Sequence, residues 1–367
     1  MRLRGSGKSR AIYRQILAAP AEILLAQKMM TIVKNNQKIY YLCPDSKTTQ
    51  GGTGVLYEHV DILNNAGIPA CVLHNKKGFR LKWFENATEV AYVHQTRFYD
   101  DDYIVIPEIY AKYFLENKKK SKKAKIFRDI YRIPCQKIIF NQGCYLTFKG
   151  HSLSIPADKT IYKAEDVIAV MVVSEDSKRF LNYVFPDIKI FRVHNSIDPK
   201  SFYYEANKDK KICFMPGKNP DEHVQLINIL KHRNVLQGWQ LNPIEQKSHK
   251  EVAEIFRESL IFINLVYQEG FGLPAAEAMA CGCIVIGYPG MGGEEFFRPE
   301  FCFPVETGKI IEVAKRVEHV LGLIENDPQC LHEKAVKASE FIRKNYSPEV
   351  QKRDVLEFWG TIFQESK

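Results

Sequence analysis

The sequence has no apolar run long enough to cross a membrane, and its cysteines form no CxxC motif. A membrane-spanning helix needs about 20 mostly apolar residues, so any membrane contact is expected to be peripheral. The first 30 residues also lack a clean apolar segment before a small-residue cleavage site, so no signal peptide is expected. The nine scattered cysteines are typical of a reducing compartment. We therefore expect a cytoplasmic protein.

The sequence also lacks a convincing set of metal ligands. No DxD-like pair and no His/Cys cluster is convincing as a ligand set, and the closest cysteines, Cys281 and Cys283, fit packing at a helix-to-strand turn better than metal binding. We therefore expect no metal and no cofactor.

Length, composition and net charge indicate the number of domains and the class of partner. The 367 residues suffice for two domains, each with its own core, and 45% hydrophobic with 26% charged residues is a globular composition. The net charge of +9 is compatible with an anionic partner but does not require nucleic acid.

The most informative stretch is 259–287, which predicts a strand, a loop, a helix and a second strand. The run from Leu260 to Val266 is apolar without alternation, as in a parallel strand covered on both faces. Pro274 suits the first turn of a helix, AAEAMA favours helix, and Gly282 suits the C-terminal cap.

Two acids frame this turn, Glu269 and Glu277, with seven residues between them. Ligands bind at the carboxyl ends of parallel strands, and a helix N-terminus favours an anion such as a diphosphate. Glu277 could then accept hydrogen bonds from two ribose hydroxyls, and Glu269 from another hydroxylated group. A solvated rim with a helix-dipole partner would give the same pattern, so the residues alone leave both interpretations open.

The run EGFGLPAAE followed by AMACG resembles the E-x7-E signature of the family 4 (group 1) retaining glycosyltransferases. The resemblance implies an α/β GT-B fold, in which two Rossmann-like doubly wound domains face each other across a cleft and a C-terminal helix crosses back to the first domain. It also implies transfer of a sugar from a nucleotide-diphosphate-sugar donor to a hydroxyl of a glycan or glycolipid acceptor. Anomeric configuration would be retained without a metal.

Domain boundaries follow from the same resemblance. HNSIDPKSF is similar to the segment at which the family passes from one domain to the other, which predicts a hinge between 195 and 210. We expect an N-terminal extension over 1–35, an acceptor-side domain over 36–195, a donor-binding domain over 196–345 and a crossing helix over 346–367.

The remaining site residues are placed by position. The predicted loop Gly51–Gly54 resembles the family's GG-x-G loop, although a tight strand-to-helix turn would need glycine anyway. Gln142 stands where many relatives have a histidine, and a glutamine cannot accept a proton at neutral pH. The turn at Gly217 and Lys218 resembles the phosphate-binding turn, with Lys218 in an arginine's place and His223 in a lysine's place.

The predicted roles are as follows. The catalytic residues are Glu269, Lys218 and Gln142. The donor-binding residues are Gly52, Gly217, Lys218, Phe271, Gly272, Leu273 and Glu277, and further candidates are Glu108, His223 and Gly293. Glu108, just after a buried strand, is by default a rim carboxylate or a helix-start residue.

The run KKKSKKAK, Lys118–Lys125, is by default a solvated helix end or loop. The alternative is adhesion to an anionic membrane surface, which would suit a lipid-linked acceptor. Two other functions remain open at this point, a GT-B nucleotide-sugar epimerase and a non-catalytic sugar-nucleotide-binding partner protein. The sequence specifies neither the nucleotide base, nor the sugar, nor the acceptor.

Overall fold

The computed structural model describes residues 37–46, 51–114, 127 and 129–365. The predicted N-terminal extension and the lysine-rich run lie outside the described residues. The described chain alternates strands and helices and forms two parallel sheets, which confirms the predicted α/β class.

The first sheet has seven strands in the order β3-β2-β1-β4-β5-β6-β7. They are β1 (Ile39–Leu42), β2 (Ala70–His74), β3 (Val90–Tyr92), β4 (Tyr103–Pro107), β5 (Gln136–Asn141), β6 (Val167–Val172) and β7 (Ile190–Arg192). Ile39 of β1 pairs with Ala70 on one side and with Tyr103 on the other. Strands β1, β2 and β4 are buried along their whole length, because helices cover both faces of such a sheet.

The helices of this domain are α1 (Gly51–Asn65), α2 (Ala111–Phe114) and α3 (Glu175–Val184). Helix α1 buries the predicted apolar face, Val55, Leu56, Val60 and Leu63. Helix α3 begins after Ser174, whose hydroxyl accepts a hydrogen bond from the backbone N–H of Ser177, as the sequence predicts.

The second sheet has five strands in the order β12-β11-β10-β8-β9. They are β8 (Asp209–Phe214), β9 (Gln240–Pro243), β10 (Ser259–Asn264), β11 (Ile284–Gly287) and β12 (Phe303–Pro304). The helices are α4 (Pro220–His232), α5 (His249–Glu258), α6 (Leu273–Ala280), α7 (Ile310–Asn326) and α8 (Pro328–Asn345). The whole predicted pattern of 259–287 is therefore present.

The last helix, α9 (Pro348–Glu365), packs on the first domain although it follows the second in sequence. Trp359 is fully buried, and its indole N–H donates to the Tyr41 hydroxyl of β1 at 3.0 Å. Its ring also lies against Tyr103 of β4, 5.4 Å between centroids. The predicted crossing helix is thus confirmed.

The predicted loop needs correction, and two further elements depart from what the sequence pattern indicates. The glycines Gly51–Gly54 do not form a loop, because α1 already begins at Gly51. Strand β3 lies in a stretch whose irregular sequence predicts no strand. The helical pattern over 309–345 is divided into two helices at Asp327, whose side chain caps the second, and Pro328 occupies that helix's first turn.

Candidate functional site

Each sheet has a switch point, where successive connections leave toward opposite edges, and ligands bind at the carboxyl ends of strands at such points. In the second sheet the switch point lies between β8 and β10. The segments that follow these strands, 215–219 and 265–272, therefore meet at one edge, and this is where the predicted donor residues lie.

Lys218 and Glu269 meet there as an ion pair between the Lys218 ammonium and Oε1 of Glu269. The lysine side chain is 46% exposed and the glutamate side chain 15%, so the cation faces the open cleft. Glu269 is held by its backbone, since its N–H donates to the Gly290 carbonyl at 2.8 Å and its own carbonyl accepts from the N–H of Gly292 at 3.1 Å.

Helix α6 starts at Leu273, four residues after Glu269. Gly272 caps it with φ +94°, a left-handed conformation that favours glycine. Leu273 and Pro274 form the first turn, while Phe271 is buried against Phe296 and Tyr346. Pro274 has no N–H, and the Ala275 N–H donates to the Gly272 carbonyl at 3.1 Å. The backbone N–H groups of Gly272 and Leu273 are therefore the donors that can receive a phosphate at this end.

Glu277 lies one turn further along α6, and its side chain is 12% exposed. Its Oε1 lies 3.7 Å from Nε2 of His249, the first residue of α5. This contact with Glu277 is the largest influence raising the pKa of His249, against the opposing effect of burial. The histidine was not among the predicted site residues, because nothing in its own sequence context relates it to Glu277.

Two further candidates, Gly217 and His223, lie near the turn after β8, one beside open space and the other buried. A Cβ at Gly217 would meet nothing within 4 Å, so this glycine borders open space. His223 is 3% exposed and stacks on Phe214. Its Nδ1 contacts the Asn219 carbonyl at 2.8 Å, and burial lowers its pKa. His223, which stands where the family's phosphate-binding turn has a lysine, is therefore a buried imidazole whose neutral form is favoured.

The first domain contributes Gly52, Glu108 and Gln142 at the carboxyl ends of β1, β4 and β5. The Gln142 side-chain amide donates to the Gly52 carbonyl at 2.9 Å. Glu108 is 5% exposed and accepts from the backbone N–H of Gln142 at 3.1 Å. Burial raises the pKa of Glu108 to about 7. Of the two default predictions, the solvated rim carboxylate is wrong because Glu108 is buried, whereas the helix-start residue is confirmed because Glu108 begins the 3₁₀ turn Glu108–Tyr110.

The two edges touch. A Cβ placed on Gly270 would lie 1.9 Å from the carbonyl oxygen of Gln142 and 3.0 Å from the Cα of Gly143. A Cβ on Gly51 would lie 2.6 Å from Cδ1 of Leu273. The predicted donor residues and the predicted residues of the first domain thus face each other across one cleft.

Comparison with known proteins assigns this architecture. The chain aligns with sucrose-phosphate synthase from Thermosynechococcus elongatus over 90% of its own length and 100% of that chain, with a TM-score of 0.64 at 13% identity. A glycosyltransferase from Rickettsia africae aligns over 90% and 100%, with a TM-score of 0.59 at 13% identity. The chain has the GT-B fold.

Two further comparisons concern the family. Residues 231–339, in the second GT-B domain, match the family model described as Glycosyl transferases group 1. The chain is also 23% identical over 261 residues to an alpha-1,6-glucosyltransferase of Actinobacillus pleuropneumoniae serotype 7, covering 68% of this chain and 72% of that protein. The resemblance to group 1 glycosyltransferases is confirmed by these matches.

An ion pair between Arg192 and Glu295 joins the two GT-B domains. Arg192, at the end of β7, donates to Oε1 of Glu295 at 2.5 Å, and the Tyr346 hydroxyl donates to the same oxygen at 2.7 Å. The other oxygen accepts from the backbone N–H of Glu175 at 3.2 Å. Glu295 belongs to a second glycine-rich turn, 290–295, which follows the one at Gly270 and Gly272. Arg192 was not among the predicted site residues because its partner lies 103 residues away.

Beside this network lies an open cavity of about 260 Å³ between the N-terminus of α3 and the second glycine-rich turn. It is lined by Glu175, Asp176, Arg179, Met291, Gly292, Glu294 and Glu295. Met291 has φ +68°, which is strained for a residue with a side chain. Gly293, the remaining candidate site residue, is buried in the 3₁₀ turn Gly292–Glu295, which lines one side of the cavity.

The described part of the GT-B chain has neither a cluster of metal ligands nor a membrane-spanning helix. Its residues include no group of three or more His, Cys, Asp or Glu side chains arranged to hold a metal ion. Within the same residues, no helix is long and apolar enough to span a bilayer.

Proposed function

We propose that this protein is a glycosyltransferase that moves a sugar from a nucleotide-diphosphate-sugar donor to a hydroxyl of a glycan or glycolipid acceptor. The observation that carries the proposal is the convergence of Lys218, Glu269, Glu277 and the N-terminus of α6 at the switch point of the second sheet. A diphosphate, a sugar and a ribose each find a complementary group there.

In this scheme Lys218 and the N–H groups at the start of α6 bind the diphosphate. The leaving phosphate gains negative charge as the bond to the sugar breaks, so cations and N–H dipoles fixed in advance stabilise the transition state. Lys218 reaches the diphosphate from its place beside Glu269, and Glu269 then accepts a hydrogen bond from a sugar hydroxyl. Glu277 accepts hydrogen bonds from the ribose hydroxyls.

We propose retention of anomeric configuration by a front-face substitution in which the leaving phosphate assists the incoming hydroxyl. Glu108, the carboxylate at the facing edge of the first domain, is buried and accepts from the N–H of Gln142. This placement favours a structural role over attack on the sugar. Gln142 positions the facing backbone and takes no proton. The scheme requires neither a metal nor a cofactor.

The acceptor is proposed to enter through the cavity beside Glu295. Its carboxylates and Arg179 can exchange hydrogen bonds with the hydroxyls of a glycan, whereas the four acids in its lining would repel a phosphorylated group. The pneumococcal O-GlcNAc transferase GtfA, a fold neighbour with a TM-score of 0.59 at 9% identity over 90% of this chain and 99% of that one, was solved with UDP and GlcNAc. A uridine nucleotide is accordingly one donor to test.

A lipid-linked acceptor would place the enzyme at a membrane surface, and the lysine-rich run Lys118–Lys125 is the proposed contact. Each lysine near an anionic surface contributes about 1 kcal/mol. Co-sedimentation with liposomes should then increase with the fraction of anionic lipid. Sedimentation that is independent of anionic lipid would contradict this part of the proposal.

The test of the function is a thermal-shift and calorimetric screen of UDP-, GDP-, ADP- and dTDP-sugars. A ligand that binds only the folded state raises its stability. Glu277→Ala should abolish the shift, whereas Glu325→Ala, at an exposed position on α7, should keep it. The assignment of the site is wrong if Glu277→Ala leaves both binding and turnover unchanged.

Product analysis separates the rival functions. An isomerised nucleotide sugar formed without acceptor would indicate an epimerase. Donor binding without turnover on any glycan or glycolipid acceptor would indicate a binding protein.

A further inference from the structure

His249 lies where four segments of the chain meet. It is the first residue of α5 and lies within the capping box that Ser248 and Glu251 form. Its ring packs edge-on against Phe202 of the segment between the two sheets, 4.9 Å between centroids. On the other side Trp83 of the first domain lies 6.1 Å away. Its Nε2 faces Glu277 of α6 at 3.7 Å. One side chain of the donor-binding domain therefore contacts the proposed ribose ligand, the interdomain segment and the opposite domain.

The charged groups that face His249 are all acidic. Glu277 contributes from α6, Glu58 from α1 of the first domain and Asp198 from the segment between the sheets, and each raises the pKa of the imidazole. Glu58 is itself held by the Gln351 side chain of α9, which donates to its Oε2 at 3.0 Å. Gln351 in turn accepts from the Ser196 hydroxyl at 2.9 Å. The three carboxylates thus come from separate elements and surround one titratable cation.

We propose that His249 is a positioning residue that holds Glu277 for the nucleotide ribose and couples donor binding to the approach of the first domain. The inference rests on the proposed function, because it takes Glu277 as the ribose ligand. Each carboxylate oxygen has two acceptor sites. At 3.7 Å from Oε1 the imidazole is an ion-pair partner rather than a hydrogen-bond donor. It fixes the orientation of the carboxylate and leaves the acceptor sites for two neighbouring hydroxyls.

The charge of His249 should set the affinity for the donor. Below its raised pKa the imidazolium offsets the three carboxylates, so the anionic donor meets a less negative site. As the pH rises through that pKa, the positive charge beside Glu277 is lost. Donor affinity should therefore fall toward alkaline pH, by about tenfold, the scale of one charge-assisted hydrogen bond.

The experiment measures dissociation constants by calorimetry from pH 5.5 to 8.5 for UDP-glucose, GDP-mannose, ADP-glucose and dTDP-glucose. Nucleotide sugars are used because the terminal phosphate of a free nucleoside diphosphate itself titrates near pH 6. The variants are His249→Gln, which removes the charge, and His249→Lys, which restores a charge that does not titrate in this range. His319→Gln, at an exposed histidine of α7, is the matched control.

For the sugar that binds best, the wild type and His319→Gln should lose about tenfold in affinity across this range. His249→Gln should bind weakly with a flat pH profile, and His249→Lys should bind with a flat profile near the acid-side affinity of the wild type. KM for the donor should change more than kcat.

The inference is overturned if His249→Gln keeps the wild-type pH profile. It is also overturned if both variants weaken binding equally at every pH together with a lowered unfolding temperature, since that is the signature of a merely structural residue. In either case the proposed function stands, because the wild type still binds. If the wild type binds no nucleotide sugar at any pH, the proposed function and this inference both fail.

Discussion

The two edges that face each other across the cleft are built alike but carry different chemistry. Both lie at the switch point of a parallel sheet. The edge of the second sheet presents an exposed lysine beside Glu269, together with the start of α6. The edge of the first sheet presents a neutral amide, Gln142, beside a buried Glu108. Burial raises the pKa of Glu108 to about 7.

This difference indicates a division of labour. The charged edge is suited to a diphosphate and its sugar, since both need ionic and hydrogen-bonding groups fixed in place. The neutral edge supplies backbone that fits closely against the other domain, as the contact between Gly270 and Gln142 illustrates. Four substitutions test this comparison, in order of decreasing effect.

Gly270→Ala should have the largest effect. The new Cβ would lie 1.9 Å from the Gln142 carbonyl, so the two edges could no longer meet. Because misplacement by about 1 Å can cost about 100-fold in rate, we expect kcat to fall by about that factor while nucleotide-sugar binding to the second domain persists. Gly143→Ala is the matched control, since its Cβ would meet nothing closer than 3.8 Å. Wild-type turnover in Gly270→Ala would show that the contact is not needed.

Lys218→Met removes the exposed cation of the second edge and should weaken donor binding by about 10- to 100-fold. Lys218→Arg keeps the charge and should stay much closer to the wild type. Lys210→Met changes an exposed lysine near the opposite end of β8 and should bind normally. Calorimetry with the nucleotide sugar identified in the screen measures all three. An unchanged affinity in Lys218→Met would remove the lysine from the donor site.

Glu108→Gln tests the neutral edge through stability. Burial raises the folded-state pKa of Glu108 from 4.5 to about 7, so the folded protein holds this proton more tightly than the unfolded chain. Stability must therefore decrease as the pH rises from about 4.5 to 7, and the glutamine variant lacks this loss. Relative to the wild type, the variant should gain on the order of 1–3 kcal/mol in unfolding free energy between pH 4.5 and pH 8.

Chemical denaturation at the two pH values measures this gain. Glu325→Gln, at an exposed site, should show no such difference. A pH-independent gap between Glu108→Gln and the wild type would mean that Glu108 titrates normally.

Gln142→Ala should have the smallest effect. It removes the side-chain hydrogen bond to the Gly52 carbonyl, which is worth about 1 kcal/mol of unfolding free energy. Because the amide does not titrate, the pH profile of kcat/KM should keep its shape. Gln225→Ala, on the exposed face of α4, is the control for stability. A changed profile would indicate that Gln142 takes part in proton transfer.

The sequence was sufficient where the signal is local. The pattern of 259–287 requires only a buried strand, a glycine turn and a capped helix, and all of these are present as predicted. The pattern failed at Gly51, where the weak helix propensity of glycine predicts a loop. It also missed β3, whose three residues show neither alternation nor a buried run.

The contacts between secondary-structure elements could not be predicted from the sequence. The pairing of Lys218 with Glu269, of His249 with Glu277 and of Arg192 with Glu295 depends on which strand ends are neighbours and on how the two sheets face each other. None of these partners is related by a helical or strand period. The individual residues of the donor site could therefore be proposed from sequence, whereas their partners required the fold.

The crossing helix α9 also has a consequence for biosynthesis. Tyr41 and Tyr103 leave the ribosome before the second domain, whereas Trp359, the side chain that covers both, follows that domain in the chain. Domains usually fold in the order of their synthesis. Here the second domain has all of its own strands and helices available before the core of the first domain can close, so the domain that is translated first is completed last.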